Sequence, residues 1–439
     1  MKTNNVFSSS EFTNPLLCEK YKKFTHSSGL DIYVFPKKLT TFYAIFGVKY
    51  GSIHNSFSLS GGSDVISVPE GVAHFLEHKL FSAEDGSDAF ERFSEYGADA
   101  NAYTSFNKTA YLFSCTENFE RSLAELIDFV THPYFTSETV STEVGIISEE
   151  IKMYDDSPQD RCFYGMLEGM YEKHSIRNNI CGSVASISKI TEKTLYDCYN
   201  AFYNLNNMVL IICGDVDFDS VLQIANEHLP ATSSPFSASV KNDNDEEARG
   251  VYKQVVRQQM QVSRPIFNIG FKDVDIPKDP FERQRKDAGM AILDEMIFSR
   301  AGELYRHLFE NDIISPNLSY GYTISETSAY NSIAGEADDP LRVLDEIKAY
   351  IISLKDTGLS HEDFMRGKRV MYAEFVKSFD STESIANNLF SFVCEDAELL
   401  SYADVIASVT FEYVCELFGQ AFDEDCITVS VINPLDIKK

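Results

Sequence analysis

The chain has 439 residues, 44% of them hydrophobic and 24% charged, which is the balance of a folded globular protein. Against 38 Lys and Arg stand 67 Asp and Glu, a net charge of −29, and this argues against a nucleic-acid binder, which needs basic patches. No apolar run approaches the roughly 18 residues of a membrane span, and the length exceeds one typical core, so two or more domains are expected.

The start, MKTNNVFSSSEFTNPLL, lacks the apolar core and cleavage site of a signal peptide. Nine cysteines are dispersed without a C-x-x-C pair, which reads as reduced thiols in a cytoplasmic protein and offers no cysteine zinc site. Residues 30–36 (LDIYVFP) and 41–50 (TFYAIFGVKY) predict strands from their β-branched and aromatic content. Residues 55–69 are rich in Ser and Gly and read as a loop. Residues 71–82 (GVAHFLEHKLFS) predict a helix, and 87–96 another that ends at Gly97. Residues 99–105 and 109–115 predict paired strands turning at 106–108. Next comes an amphipathic helix over 119–130, with His132 at its C-terminal end, where a histidine suits the helix dipole.

A long helix opens at Thr136-Ser137-Glu138 with an N-cap residue and an early acid. It carries Glu143, Glu149 and Glu150 and is broken at Pro158. Residues 159–173 are helical again. A helix over 191–203, a buried strand over 208–213 and a helix over 216–229 complete the first half. Residues 230–250 (PATSSPFSASVKNDNDEEARG) lose all periodicity and predict a linker.

The second half of the chain repeats the first. Residues 189–217 lie without gaps on 408–436, each a helix, a buried strand and a turn. HFLEHKLFS (74–82) lies on AILDEMIFS (291–299), and SLAELIDFV (122–130) on VLDEIKAYI (343–351). The ordered segments keep nearly one offset, which predicts a duplication. The expected fold is α+β: two tandem homologous α/β domains, each a mostly antiparallel sheet packed with helices. Residues 1–229 form the metal-bearing domain, 230–250 the linker, and 251–439 a homologous domain without a metal site. Ala291 and Glu295 stand there in place of the two histidines.

His74, Glu77 and His78 share one helix face, since positions i, i+3 and i+4 are neighbours. Two imidazoles four residues apart make the helical half of a zinc site, and the intervening carboxylate can handle a proton of a bound water. Val72, Phe75, Leu76 and Leu80 mark this helix as buried, which counts against a surface helix with two solvated histidines. A catalytic zinc takes three protein ligands, so a third must come from another element. Glu143 and Glu150 are two turns apart on one face of the long helix, flanked by Val144, Ile147 and Ile151. Glu149 is turned away by about 100° and reads as solvated.

HFLEH, succeeded by Glu150 in EVGIISEEIKMY, resembles the pitrilysin/insulinase family of zinc peptidases with the inverted H-x-x-E-H order. The resemblance covers essentially the whole chain. It is closest to the short branch containing mitochondrial processing peptidase and to a bacterial group made of two-subunit pairs. It implies one zinc ion per chain held by His74, His78 and Glu150, with Glu77 as the catalytic base and Glu143 supporting a ligand. Asn101, Ala102 and Tyr103 would form the edge strand that takes a peptide substrate as an added strand. Active members carry an Arg and a Tyr in the second half; here Phe309 and Pro316 stand at those positions. Arg306, Tyr320 and Tyr322 lie nearby, off the spacing, and read as structural. The resemblance therefore implies the metal-bearing subunit of a heterodimer, with a homodimer as the other option. The alternatives are a non-catalytic peptide-binding subunit and a zinc hydrolase acting on something other than peptides.

Overall fold

The computed structural model describes residues 6–59, 65–234, 238–240 and 247–435. The chain forms two compact units. One comprises Met1–Ile151, Asn179–Asn242 and Val376–Leu400; the other comprises Lys152–Asn178, Asp243–Phe375 and Ser401–Lys439.

The first unit is built on a seven-stranded sheet. Its order is Val6–Asn14, Glu19–His26, Asp31–Pro36, Met208–Gly214, Phe42–Val48, Thr109–Cys115 and Asp99–Thr104. Neighbours are antiparallel except Asp31–Pro36 beside Met208–Gly214. Every residue of Met208–Gly214 is buried, which is why it reads as one apolar run instead of an alternation. The second unit carries a five-stranded sheet in the order Val255–Met260, Ile427–Pro434, Ile266–Asp273, Ala329–Glu336 and Leu318–Ile324. Again the first pair is parallel and the rest antiparallel.

The last five strands of the first sheet therefore match the second sheet in order and direction. The gapless pairing of 189–217 with 408–436 sets Met208 on Ile427 and Glu192 on Phe411, and these residues open equivalent strands and helices. The duplication expected from sequence is present in the topology, and the fold is α+β.

Three segments differ from expectation. Strands Val6–Asn14 and Glu19–His26 pair with each other, although their polar, Lys- and Ser-rich sequence carries little apolar signal. Residues 55–69 are not a plain loop: Ser56–Leu59 and Val65–Ser67 pair antiparallel, and Ala238–Val240 from the expected linker joins them. Buried Phe57 is the apolar anchor that holds this small sheet in place. The third is Glu247, near the end of that linker. Its carboxylate accepts the backbone N–H groups of Glu172, Lys173 and His174 and an ion pair from Lys272. Residues 60–64, and residues 235–237 and 241–246 of the linker, lie outside the described residues.

Each of the two large sheets is covered by a helix from the other half of the sequence. Thr382–Cys394 packs on Phe42–Val48 and Met208–Gly214 within the first unit. Its counterpart Pro158–Met170, of equal length, packs on Ile266–Asp273 and Ile427–Pro434 within the second. A glycine opens each contact. A Cβ on Gly47 would overlap the Phe390 ring, and one on Gly270 would strike Met166 and Met170. Gly47 pairs with Val209 and Gly270 with Thr428, positions that the repeat alignment superposes.

Candidate metal centre and active site

The helix Val72–Leu80 starts at Gly71, whose φ of +88° is a conformation that other residues adopt at a cost. A side chain there would also strike the Cys181 carbonyl. Val72, Ala73, Phe75, Leu76 and Leu80 are buried, so the helix lies against the sheet on its apolar side. Its polar side carries His74, Glu77 and His78. His74 and Glu77 are each only 7% exposed.

The third contributor is the helix Ser137–Asp155. Ile147 and Ile151 are buried and turn the Glu143/Glu150 face inward, while Glu149 is exposed. Glu150 reaches both imidazoles: Oε1 is 3.6 Å from His74 Nε2, and Oε2 is 3.4 Å from His78 Nε2. The two rings stand 4.6 Å apart, centre to centre. Glu143 sits behind His78, with Oε1 3.1 Å from Nδ1, and its other oxygen is 3.6 Å from the buried Lys79 ammonium. A carboxylate only accepts, so His78 Nδ1 donates to Glu143 and Nε2 is the ring nitrogen that faces Glu150. Glu77 points elsewhere: its Oε2 accepts the Thr104 hydroxyl at 2.6 Å.

Burial, reinforced by the neighbouring His78, pushes the His74 pKa down to about 3, so that imidazole is neutral at physiological pH. His78 is half-buried, and although that desolvation lowers its pKa, Glu143, Glu77 and Glu150 together outweigh it and raise the pKa. Burial raises Glu77 against the opposing Thr104 hydrogen bond. Glu143 is lowered because His78 and Lys79 more than offset its burial.

This donor set fits a zinc ion. Atoms about 2.0–2.2 Å from a tetrahedral ion stand roughly 3.3–3.6 Å apart, which is the spacing of Glu150 from each imidazole. Neutral imidazoles and a carboxylate are the ligand types zinc takes.

The edge strand Asp99–Thr104 pairs only with Thr109–Cys115 among the described residues, Ala102 opposite Tyr111. Alternation splits its side chains between the two faces. Tyr103 bonds Asn387 of the covering helix, while Thr104 meets Glu77 on the other face. Asn101 is exposed and Ala102 half-buried. His132 is exposed at the C-terminus of the helix Phe119–Thr131, with Nδ1 2.8 Å from the Asp128 carbonyl.

The second unit keeps the scaffold with different chemistry. Asp294 aligns with Glu77 and is 2% exposed. It accepts a short hydrogen bond from the Asn331 amide. Glu295, at the position of His78, accepts the Tyr320 hydroxyl at 2.7 Å, and Tyr322 bonds Asp273 at 2.8 Å. Burial pushes the Asp294 pKa up from 3.8 to about 8. The folded state therefore keeps a proton that the unfolded chain releases above about pH 4, so stability falls as pH rises from about 4 to 8. The full loss is on the order of 5 kcal/mol. Asp294→Asn should remove this slope and melt above the wild type at pH 8, and thermal unfolding at pH 5 and pH 8 checks it.

Three residues at the centre carry no sequence signal of their own. Thr104 and Lys79 become informative only once strand and helix faces are known. Cys181 comes from the loop after Asn179, and its sulfur is 3.7 Å from His74 Nε2. A single cysteine outside any C-x-x-C pattern has no spacing to give it away.

Comparison with known proteins gives the family. Residues 67–183 match the family profile described as Insulinase (Peptidase family M16), and residues 189–371 match the Peptidase M16 inactive domain. The protein named uncharacterized zinc protease YmfH of Bacillus subtilis (strain 168) is 37% identical over 93% of this chain and 95% of its own length. A zinc protease of Rickettsia felis is 24% identical over 85% of this chain and 90% of its own length. The crystal structure of an M16-like peptidase from Alicyclobacillus acidocaldarius superposes with a TM-score of 0.91 at 28% identity, covering 97% of this chain and 100% of that one. A protease from Helicobacter pylori shares the fold, with a TM-score of 0.80 at 17% identity over 95% of this chain and 100% of that one. The chain belongs to the insulinase-type peptidase family M16.

Proposed function

We propose that this chain is a zinc-dependent endopeptidase for peptides or small unfolded polypeptides, holding one zinc ion between His74, His78 and Glu150. The observation that carries the reading is the approach of Glu150, through one oxygen each, to two imidazoles of a buried helix that also bears Glu77. Bound there, the ion would lower the pKa of a water toward about 7 and polarise a peptide carbonyl.

The remaining steps belong to the chain's own residues. Thr104 engages Oε2 of Glu77, so Oε1 takes the proton of the attacking water and returns it to the leaving amine. Burial raises the basicity of this carboxylate, which suits a proton acceptor working near neutral pH. Glu143 fixes the tautomer and plane of His78 from behind. The free edge of Asp99–Thr104, including Asn101, Ala102 and Tyr103, takes an extended peptide as a further strand, which suits a peptide better than a small metabolite.

Metal analysis with digestion of an unstructured peptide library tests the reading. One zinc per chain and chelator-sensitive cleavage are expected. Full zinc occupancy without cleavage would favour a non-catalytic peptide-binding subunit. Glu143→Gln should weaken zinc affinity by about 10–100-fold, read by competition with a chromogenic chelator.

The chain is proposed to work with a homologous partner subunit. Phe309 and Pro316 stand where a substrate-holding Arg and Tyr would, Phe309 stacks on Tyr305, and the hydroxyls of Tyr320 and Tyr322 are engaged by Glu295 and Asp273. Weak cleavage alone and a marked gain on mixing with the partner are expected, and equal rates would contradict this part.

A further inference from the structure

The loop after Asn179 brings a third kind of donor to the metal centre. Cys181 is 4% exposed, and its sulfur lies 3.7 Å from His74 Nε2. Donor atoms of His74, Glu150 and Cys181 all lie within 4.8 Å of one another. These residues come from three separate elements, so the convergence is a product of the fold and not of sequence proximity.

The 3.7 Å from the Cys181 sulfur to His74 Nε2, within hydrogen-bond reach of a thiol, is also the separation a shared ion would set. With zinc–sulfur and zinc–nitrogen bonds of about 2.3 and 2.0–2.1 Å, sulfur and nitrogen on one tetrahedral ion stand about 3.6 Å apart. Backbone geometry fixes the loop here. Gly71 opens the motif helix directly against the Cys181 carbonyl, and a side chain at Gly71 would drive the two apart. The N–H of Cys181 is held by the Asn179 side chain at 2.9 Å. The two imidazoles also differ. His78 is backed by Glu143, whereas His74 Nδ1 is buried with no partner among the described residues. The sulfur sits on the His74 side, next to the imidazole that no carboxylate backs.

We propose that Cys181 is a fourth protein donor to the ion held by His74, His78 and Glu150, its thiolate capping the position that water and substrate must use. This rests on the zinc-peptidase reading of the site. On binding, the thiol gives its proton to solvent as the sulfur–metal bond forms. A site with four protein donors is closed, and catalytic sites keep one position open, so the sulfur must be displaced for turnover. The cap is therefore a resting-state ligand, released when substrate or water takes its place.

Cobalt(II) in place of zinc provides the test, because a cobalt–thiolate bond adds an intense near-ultraviolet charge-transfer band that imidazole and carboxylate do not give. The full chain, stripped of metal and titrated with cobalt, should show this band at one equivalent. Cys181→Ala should lose the band while still binding one cobalt, and Cys181→Ser provides a second, more conservative variant. X-ray absorption of the zinc-loaded wild type needs no variant and should show a sulfur scatterer at about 2.3 Å. Cobalt bound in a His74-dependent manner without the band, and zinc without sulfur, would overturn the Cys181 assignment and leave the peptidase site standing. Cobalt that fails to bind, or binds equally to His74→Ala, would overturn both.

Discussion

Glu77→Gln is expected to lower peptide turnover by roughly 10²–10⁴-fold while leaving one zinc per chain. The substitution keeps the volume of the side chain and its hydrogen bond from Thr104, whose hydroxyl lies 2.6 Å from Oε2. It removes the ability to accept a proton. Glu77 is not among the proposed ligands, so metal content should be unchanged, unlike the loss expected for His78→Ala. Steady-state cleavage of a fluorogenic peptide, with zinc measured on the same sample, separates the two roles. A Glu77→Gln protein that cleaves at the wild-type rate would remove Glu77 from the chemistry.

Phe390→Ala is expected to destabilise the first unit by about 3–5 kcal/mol. The ring is fully buried on the helix Thr382–Cys394 and fills the space left by the missing Cβ of Gly47. Its face is also met by the Lys108 ammonium, 5.3 Å from the ring centre. Gly47→Ala should overpack the same contact at a cost of about 1–3 kcal/mol. The two changes share one space, so the double mutant should be more stable than the sum of the singles predicts. Chemical unfolding of the four proteins measures this coupling. Strict additivity would show that the glycine does not admit the ring.

The site is legible in sequence because its donors obey helical arithmetic. His74, Glu77 and His78 fall on one face through their spacing alone. Glu143 and Glu150 are two turns apart, and Ile147 and Ile151 turn that face inward. The family match then supports the zinc-protease reading in outline. The duplication is legible through a buried strand, MVLIIC, whose apolar run has a counterpart one repeat away.

The features that sequence does not reveal depend on contacts between distant segments. Val6–Asn14 and Glu19–His26 pair near one edge of the sheet, and their apolar face is reduced to a few rings, Phe12 stacked on Tyr21 and the buried Phe24, set among Lys and Ser residues. Ala238–Val240 is a strand because Ser56–Leu59 offers an edge to it. The helix expected over 159–173 is present as Pro158–Met170, but nothing in its periodicity, or in that of Thr382–Cys394, says which sheet each covers. Only the socketed glycines, Gly47 and Gly270, carry a trace of that exchange. Cys181 is silent in sequence for the same reason, since its closeness to His74 belongs to a loop and not to a motif.

Anomalous diffraction at the zinc edge, from crystals of the full chain grown with zinc, tests the central claim most directly. A single strong peak is predicted about 2.0–2.2 Å from Nε2 of His74, Nε2 of His78 and a carboxylate oxygen of Glu150. A peak away from these three side chains, or Glu150 turned out to solvent with both imidazoles bare, would contradict the account.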